Sequence, residues 1–256
     1  MSPRAGPEDR EANGGAGSRA QERSQKMGSS RFLALTVTGV FILMAAFFVT
    51  RTVKASGGTP IPPATADDSL AGSHGRETAV FAGGCFWGTQ SVFERVKGVI
   101  DTTVGYSGGS ANTATYNQVT TETTGHAESI RIVYDPSKIT YGQLLRLFFS
   151  VAHDPTQLNR QGPDVGTSYR SVIFYANEEQ KRISQAYIAQ LDAAHVFPKP
   201  IVTQVVPLKG FYDAESYHQH YADQNPGNPY ILICDRPKIE ALKQQFPELF
   251  DDHQRK

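Results

Sequence analysis

Thiols are scarce in this chain: its 256 residues include two cysteines, Cys85 and Cys234. Two cysteines cannot build a disulfide framework, and there is no C-x-x-C pair. Tryptophan is scarcer still, with Trp87 alone. Net charge is also missing, since 25 Lys and Arg balance 25 Asp and Glu. No basic stripe, finger spacing or aromatic RNA-binding signature is present, which leaves out nucleic acid as a partner. A resident metal is not indicated either. Cys85, Cys234 and the His218-x-His220 pair lack zinc-like spacing, and two histidines flanking one helical residue point apart.

What is there divides the chain into sections. Residues 1–31 are rich in Gly, Ala, Ser, Arg and Glu with no apolar period, the composition of a disordered N-terminus. From Phe32 to Val49 the sequence FLALTVTGVFILMAAFFV carries no charge. Eighteen helical residues span about 27 Å, close to a hydrocarbon core of roughly 30 Å, so a transmembrane helix is predicted over residues 32–50. Arg19, Arg23, Lys26 and Arg31 precede it, against Arg51 and Lys54 after it. The positive-inside rule then puts the N-terminus in the cytoplasm and the rest outside, on the periplasmic side. The rival reading is a signal peptide cleaved near Val53-Lys54-Ala55, giving a secreted protein. Residues 51–76, with GGTPIPPATADDS, read as a flexible linker. A globular domain is expected over residues 77–250, with a tail over 251–256.

Within that domain TAVFAGG reads as a strand ending in glycines. Phe86, Val92, Phe93 and Val96 follow at helical spacing, with Gly98 as a stop. Glu128 to Tyr134 alternates as a strand, Tyr141 to Ala152 has a helical apolar face, and Tyr169 to Tyr175 is a strand. Asn177-Glu-Glu-Gln180 resembles a capping box opening a helix to about Ala194. Ile201 to Val206 is a strand, Asp213 caps a short helix through Tyr221, and Tyr230 to Cys234 is a short apolar strand. Helices alternate with strands, which predicts an α/β sandwich.

The chemistry concentrates in GGCFWG, residues 83–88. Cys85 falls where a strand ends and a helix begins. Unpaired N–H groups and the positive end of the helix dipole favour a thiolate there, so a lowered pKa is expected. Gly83 and Gly84 permit a tight turn and close approach, and Phe86 and Trp87 offer a flat apolar wall. An inert buried thiol is one alternative reading. A papain-like nucleophile with His218 or His220 as base is another, but that signature needs a cysteine just upstream, where this chain has glycine.

GGCFWG before an amphipathic helix resembles the active-site motif of the A-type peptide methionine sulfoxide reductases. GYSGG (105–109), Tyr116, GHAE (125–128), VYDP (133–136), HDPTQLNRQGPDVGTSYRS (153–171), HQHY (218–221) and QNP (224–226) follow that family's pattern in order. The resemblance implies a two-layer α/β sandwich with a ferredoxin-like core. It implies an oxidoreductase that reduces methionine S-sulfoxide, free or in oxidised proteins, to methionine through a cysteine sulfenic acid, as protein repair. No cofactor is implied. The expected partner is an external thiol reductant such as thioredoxin or a small thiol, and a monomer is expected. Carried over by motif, Cys85 is the attacking thiol and Glu128 the proton donor. Tyr116 and Tyr169 hold the sulfoxide oxygen, Asp164 helps place the substrate, and Phe86 and Trp87 accept its methyl group.

The chemistry explains this choice of groups. A sulfoxide sulfur becomes attackable once its oxygen is protonated, and a carboxylic acid can do this at neutral pH if burial raises its pKa. Recycling is where the sequence departs from the family. The usual place of a recycling cysteine holds Ile231, and the one downstream cysteine is Cys234. It is read as a buried structural residue, with a resolving role as the alternative.

Overall fold

The computed structural model describes residues 58–252. The expectations for the N-terminal 31 residues and for the apolar run Phe32–Val49 lie outside that range. Among the described residues, no helix is long and apolar enough to cross a membrane.

The domain is built on a mixed sheet. Its strands are β1 (Glu77–Gly83), β2 (Val99–Ser107), β3 (Ala127–Tyr134), β4 (Ser171–Tyr175), β5 (Gln204–Pro207) and β6 (Phe211–Asp213). Their spatial order is β5-β4-β1-β3-β2-β6. The four inner strands pair antiparallel throughout. With a helix after β1 and another after β3, they give the split β-α-β arrangement of a ferredoxin-like core. β5 adds parallel to β4 at one edge, and β6 adds antiparallel to β2 at the other.

Helix α1 (Phe86–Phe93) follows β1 directly, and α2 (Tyr141–Leu147) continues through a π-helical turn, Phe148–Ala152. Helices α3 (Glu178–Ala193) and α4 (Arg236–Gln245) lie further along the chain. Thr140 and Gln143 close a full capping box at α2. At α3 the Asn177 side chain accepts the Gln180 N–H at 2.8 Å, while the Gln180 side chain turns elsewhere. The strand alternation decides the core. Ala79, Phe81, Ile130, Ile132 and Ile173 join the apolar helix residues in the main cluster. Val80, Ala82, Val172 and Phe174, on the opposite pleat, form a smaller one.

Three expectations need correction. Residues 58–67 are not a flexible linker. Ile61 is buried in the main core, the Ile61 carbonyl accepts from Arg146, and the Pro62 carbonyl accepts the Tyr187 hydroxyl at 2.6 Å. Asp67 accepts the Gly142 N–H at the start of α2. A Pro-rich composition matches a tether, but prolines keep their carbonyls, and here these are used. Asp213 does not cap a helix; it ends edge strand β6, and the next helical pieces are Ser216–His218 and Tyr221–Gln224.

The Tyr230–Cys234 strand is absent as well. Ile231–Asp235 is a π-helical turn running into α4. Asn228 starts it by accepting the Tyr230 N–H on its side chain and the Leu232 N–H on its carbonyl. Pro237 then suits the first turn of α4, where no N–H is needed. Burial follows the helical winding: Ile231 and Asp235 are inside, while Leu232 and Ile233 are outside.

Candidate active site

Cys85 is the residue before α1, with an extended ψ of 123°. Gly84 has φ +86°, which L side chains avoid, and a Cβ there would lie 2.5 Å from the Gln161 side chain. The glycine therefore lets the 153–163 loop close over the strand–helix turn. Four residues further on, a Cβ on Gly88 would lie 2.1 Å from an Asp235 oxygen, so α1 and the C-terminal segment also touch backbone to side chain. Cys85 ends up 8% exposed, held between these two close approaches.

Glu128, on β3, reaches the same helix start. Its Oε2 accepts the Phe86 N–H at 3.0 Å. It is fully buried, and burial pushes its pKa up to about 8. The Phe86 amide opposes that rise, while the charge of Asp164 adds to it. Glu128 is therefore a carboxylic acid at neutral pH, which is what proton donation requires.

The thiol differs from expectation. Its pKa is pushed well up, not down. Burial is the main cause, with the charges of Glu128 and Asp235 adding; the Trp87 N–H and Lys238 oppose. The helix start does favour the thiolate, but one amide and the Lys238 ammonium do not outweigh desolvation. Below pH 8 the charge on Glu128 largely vanishes, and burial alone is enough to keep the thiol protonated. The resting site thus holds two protons, one on Glu128 and one on Cys85.

The two phenols arrive from separate loops. Tyr169 ends a 3-10 turn, Thr167–Tyr169, pinned by the Glu122 carboxylate. That carboxylate accepts the Ser168 N–H at 2.8 Å, the Ser168 hydroxyl at 2.6 Å and the Thr167 hydroxyl at 3.0 Å. Arg170 then donates to the Gly125 and His126 carbonyls, both at 2.9 Å, tying this turn to the GHAE segment that carries Glu128. Tyr116 opens a short helical turn, and its N–H is held by Glu215 at 2.9 Å. Burial raises the pKa of both phenols, so they are neutral donors.

Trp87 stacks on Tyr221 at 3.9 Å between ring centroids and meets Tyr230 edge-on. Its indole N–H points at His218 Nδ1, 3.2 Å away. That contact leaves the His218 proton on Nε2, which is buried and has no partner among the described residues. Asp164 sits on a two-residue ribbon strand and accepts the Tyr230 hydroxyl at 2.5 Å.

The structure brings seven of the eight expected residues together. Cys85, Phe86, Trp87, Tyr116, Glu128, Asp164 and Tyr169 line one cavity of about 190 Å³, with His218 and Tyr230. Cys234 is absent from it. Half-buried instead of buried, Cys234 lines a second and larger cavity that Cys85 also reaches. The sequence gives no role here to Tyr230, Tyr221 or Asp235, and offers His218 only as the base of the papain-like alternative. The signals are present in HQHY and in the segment after QNP, but the first supplies only a motif match and the apolar run in the second suits a strand as well as a helix. The other histidine of HQHY, His220, turns away and pairs with Glu94.

A protonated acid, two neutral phenols and a thiol converging on a small aromatic-walled hollow suit the removal of an oxygen atom from a small polar centre bearing an apolar group. The family model for peptide methionine sulfoxide reductase matches residues 77–249. A peptide methionine sulfoxide reductase, MsrA 2 of Mesorhizobium japonicum, is 58% identical over 178 residues, covering 70% of this chain and 91% of that protein. The MsrA of Saccharolobus solfataricus is 46% identical over 178 residues, covering 70% of this chain and 99% of its own. Methionine sulfoxide reductase A of Corynebacterium diphtheriae has a similar solved structure, with a TM-score of 0.52 at 35% identity, covering 67% of this chain and 88% of that one. With that similarity running through the whole domain that builds the hollow, the chain belongs to the peptide methionine sulfoxide reductase family, in its A type, and catalyses thiol-dependent reduction of methionine sulfoxide.

Proposed function

We propose that Cys85 takes the oxygen from the S-epimer of methionine sulfoxide, free or within oxidised proteins, and becomes a sulfenic acid. Glu128 lends its proton to the sulfoxide oxygen as the Cys85 sulfur attacks. Tyr116 and Tyr169 donate hydrogen bonds to the same oxygen as its charge grows. The proton leaving the thiol replaces the one Glu128 lent, so the half-reaction is Cys–SH plus sulfoxide giving Cys–SOH plus methionine. Phe86 and Trp87 hold the methyl group, and Asp164 orders the Tyr230 side of the substrate. The observation that carries this reading is the convergence of these seven side chains on one small cavity, with Glu128 raised to about 8. One chain supplies all seven, which supports a monomeric enzyme.

Regeneration draws on a second thiol, from an external donor of the thioredoxin type or a small thiol. Cys234 is the intrachain candidate. No cofactor enters the scheme. The catalytic domain, residues 77–250, is carried outside the cytoplasm by the anchor at 32–50. Support for that placement is the uncharged run and the excess of Lys and Arg before it, and alkaline extraction of membranes containing the full chain, with protease accessibility from outside intact cells, checks it.

The test of the chemistry is single-turnover product analysis with separated epimers and no reductant. The S-epimer should yield one methionine per enzyme and the R-epimer none. Cys85→Ser should yield none from either. Methionine formation by the serine variant would remove Cys85 from its role.

A further inference from the structure

Two cavities share Cys85 in their walls. The small aromatic one receives the sulfoxide. The other, of about 420 Å³, is walled by the end of the π-helical turn and the 153–163 loop, by Thr59 of the packed segment 58–67 (the strap) and by Ile233, Cys234 and Lys238 of the C-terminal segment. Their linings have two residues in common, Cys85 and Tyr230. The Tyr230 hydroxyl is bonded across to Asp164, a wall residue of the small cavity, so this pair forms the partition beside the sulfur.

The direction of the second half-reaction follows from the first. The oxygen is delivered to Cys85 from where Glu128, Tyr116 and Tyr169 converge, so the S–O bond of the sulfenic acid points into the small cavity. A thiolate displacing oxygen from divalent sulfur approaches in line, opposite the bond that breaks. That approach lies away from the phenols and the acid. We propose that the larger cavity is the port through which the reducing thiol reaches Cys85, separate from the doorway used by methionine sulfoxide.

The step balances. The incoming thiolate forms an S–S bond to Cys85, the S–O bond breaks, and the hydroxide takes a proton from Glu128 to leave as water. A second thiol equivalent then reduces the mixed disulfide, returning Cys85 to the thiol and leaving the donor pair as a disulfide. The walls fit this role. Lys238, paired with Asp235 at 3.2 Å, places positive charge beside an entering thiolate. His153 stays neutral, since burial lowers its pKa to about 4, and the Asp154 carboxylate in the same wall is taken up by Thr156 and Gln157. The thiol can be an outside one or the chain's own Cys234, which already stands in this wall.

This inference rests on the sulfenic acid of the proposed function, and the experiment separates the two. Cys85 is first oxidised with one equivalent of methionine S-sulfoxide, in native protein and in Cys234→Ser, and trapped with dimedone. No adduct in either protein would sink the proposed function itself. An adduct in Cys234→Ser alone, with an internal disulfide in the native chain, marks Cys234 as the thiol using the port. An adduct in both marks an outside thiol.

Dithiothreitol is then added to the oxidised Cys234→Ser enzyme under saturating methionine. Reduction should proceed at an unchanged rate, because methionine fills the other cavity. Competitive slowing by methionine would mean one shared doorway and overturn the proposal. Filling the port at its exposed rim with Ile233→Trp should slow reduction by dithiothreitol about fivefold or more. Methionine formation should stay within about twofold of the parent. An unchanged reduction rate would count against the port.

Discussion

The two sides of Cys85 differ in almost every physical respect. On one side are aromatic rings, two neutral phenols and a protonated carboxylic acid around about 190 Å³. On the other is a cavity more than twice as large, edged by loop backbone, an ammonium and a second thiol. The difference matches the needs of two half-reactions. Taking oxygen from a sulfoxide requires protons placed at a fixed point. Giving it up to a thiol requires room, and a charge of the opposite sign to the nucleophile. One buried residue serves both because the strand–helix turn places Cys85 in the wall of each cavity.

The largest separation of the two sides should come from Glu128→Gln. It should slow methionine formation by about 10² to 10⁴, the range for loss of a general acid, in rapid-quench single-turnover assays. Next are Tyr116→Phe and Tyr169→Phe. Because two phenols serve one oxygen, each alone should cost about tenfold, and the pair together more than the product of the two. One single at the parent rate, with the double no slower than the other single, would show that only one phenol acts. Tyr230→Phe breaks the bond to Asp164 in the partition. A net hydrogen bond is worth about 1 kcal/mol, so both half-reactions should slow by about fivefold or less.

Stability should respond as well. Glu128 holds its proton up to about pH 8, whereas an exposed glutamate releases it near 4.5. Between those values the folded chain binds more protons than the unfolded one, so stability falls as pH rises through that window. Glu128→Gln removes this slope, and its melting temperature at pH 9 should exceed that of the parent. Equal pH slopes for the two proteins would contradict the raised pKa.

Much of the sulfoxide side was legible in the sequence, because it is made of local signals. TAVFAGG alternates, the next apolar residues fall at helical spacing, and the cysteine sits at the junction. The motifs at Tyr116, Glu128, Asp164 and Tyr169 added the residues that more distant segments bring in. Strand β2 was not read as an element, since Asp101, Thr102 and Thr103 interrupt its apolar pattern and a register shift falls between Val99 and Asp101. The thiol side was mostly illegible. Five apolar residues at 230–234 suit a strand or a helix equally, and length alone could not decide. The winding depends on Asn228, whose two acceptors start the turn. The strap at 58–67 was hidden because it contributes carbonyls and one isoleucine to a surface built far away in sequence. The sign of the thiol shift was missed for a related reason. Local helix geometry is visible in sequence, but the depth of burial around Cys85 is set by the 153–163 loop and Asp235.

Delivery of the proton that frees the oxygen, from a protonated Glu128 beside a buried Cys85, is the step on which the chemistry depends. Its most direct test is the pH dependence of methionine formation in a single turnover of the native enzyme, set against Glu128→Gln. The native rate should fall as pH rises through about 8, where Glu128 loses its proton. The variant should be slow and lack that limb. A native rate that climbs steadily through pH 8, or a falling limb that persists in the variant, would contradict it.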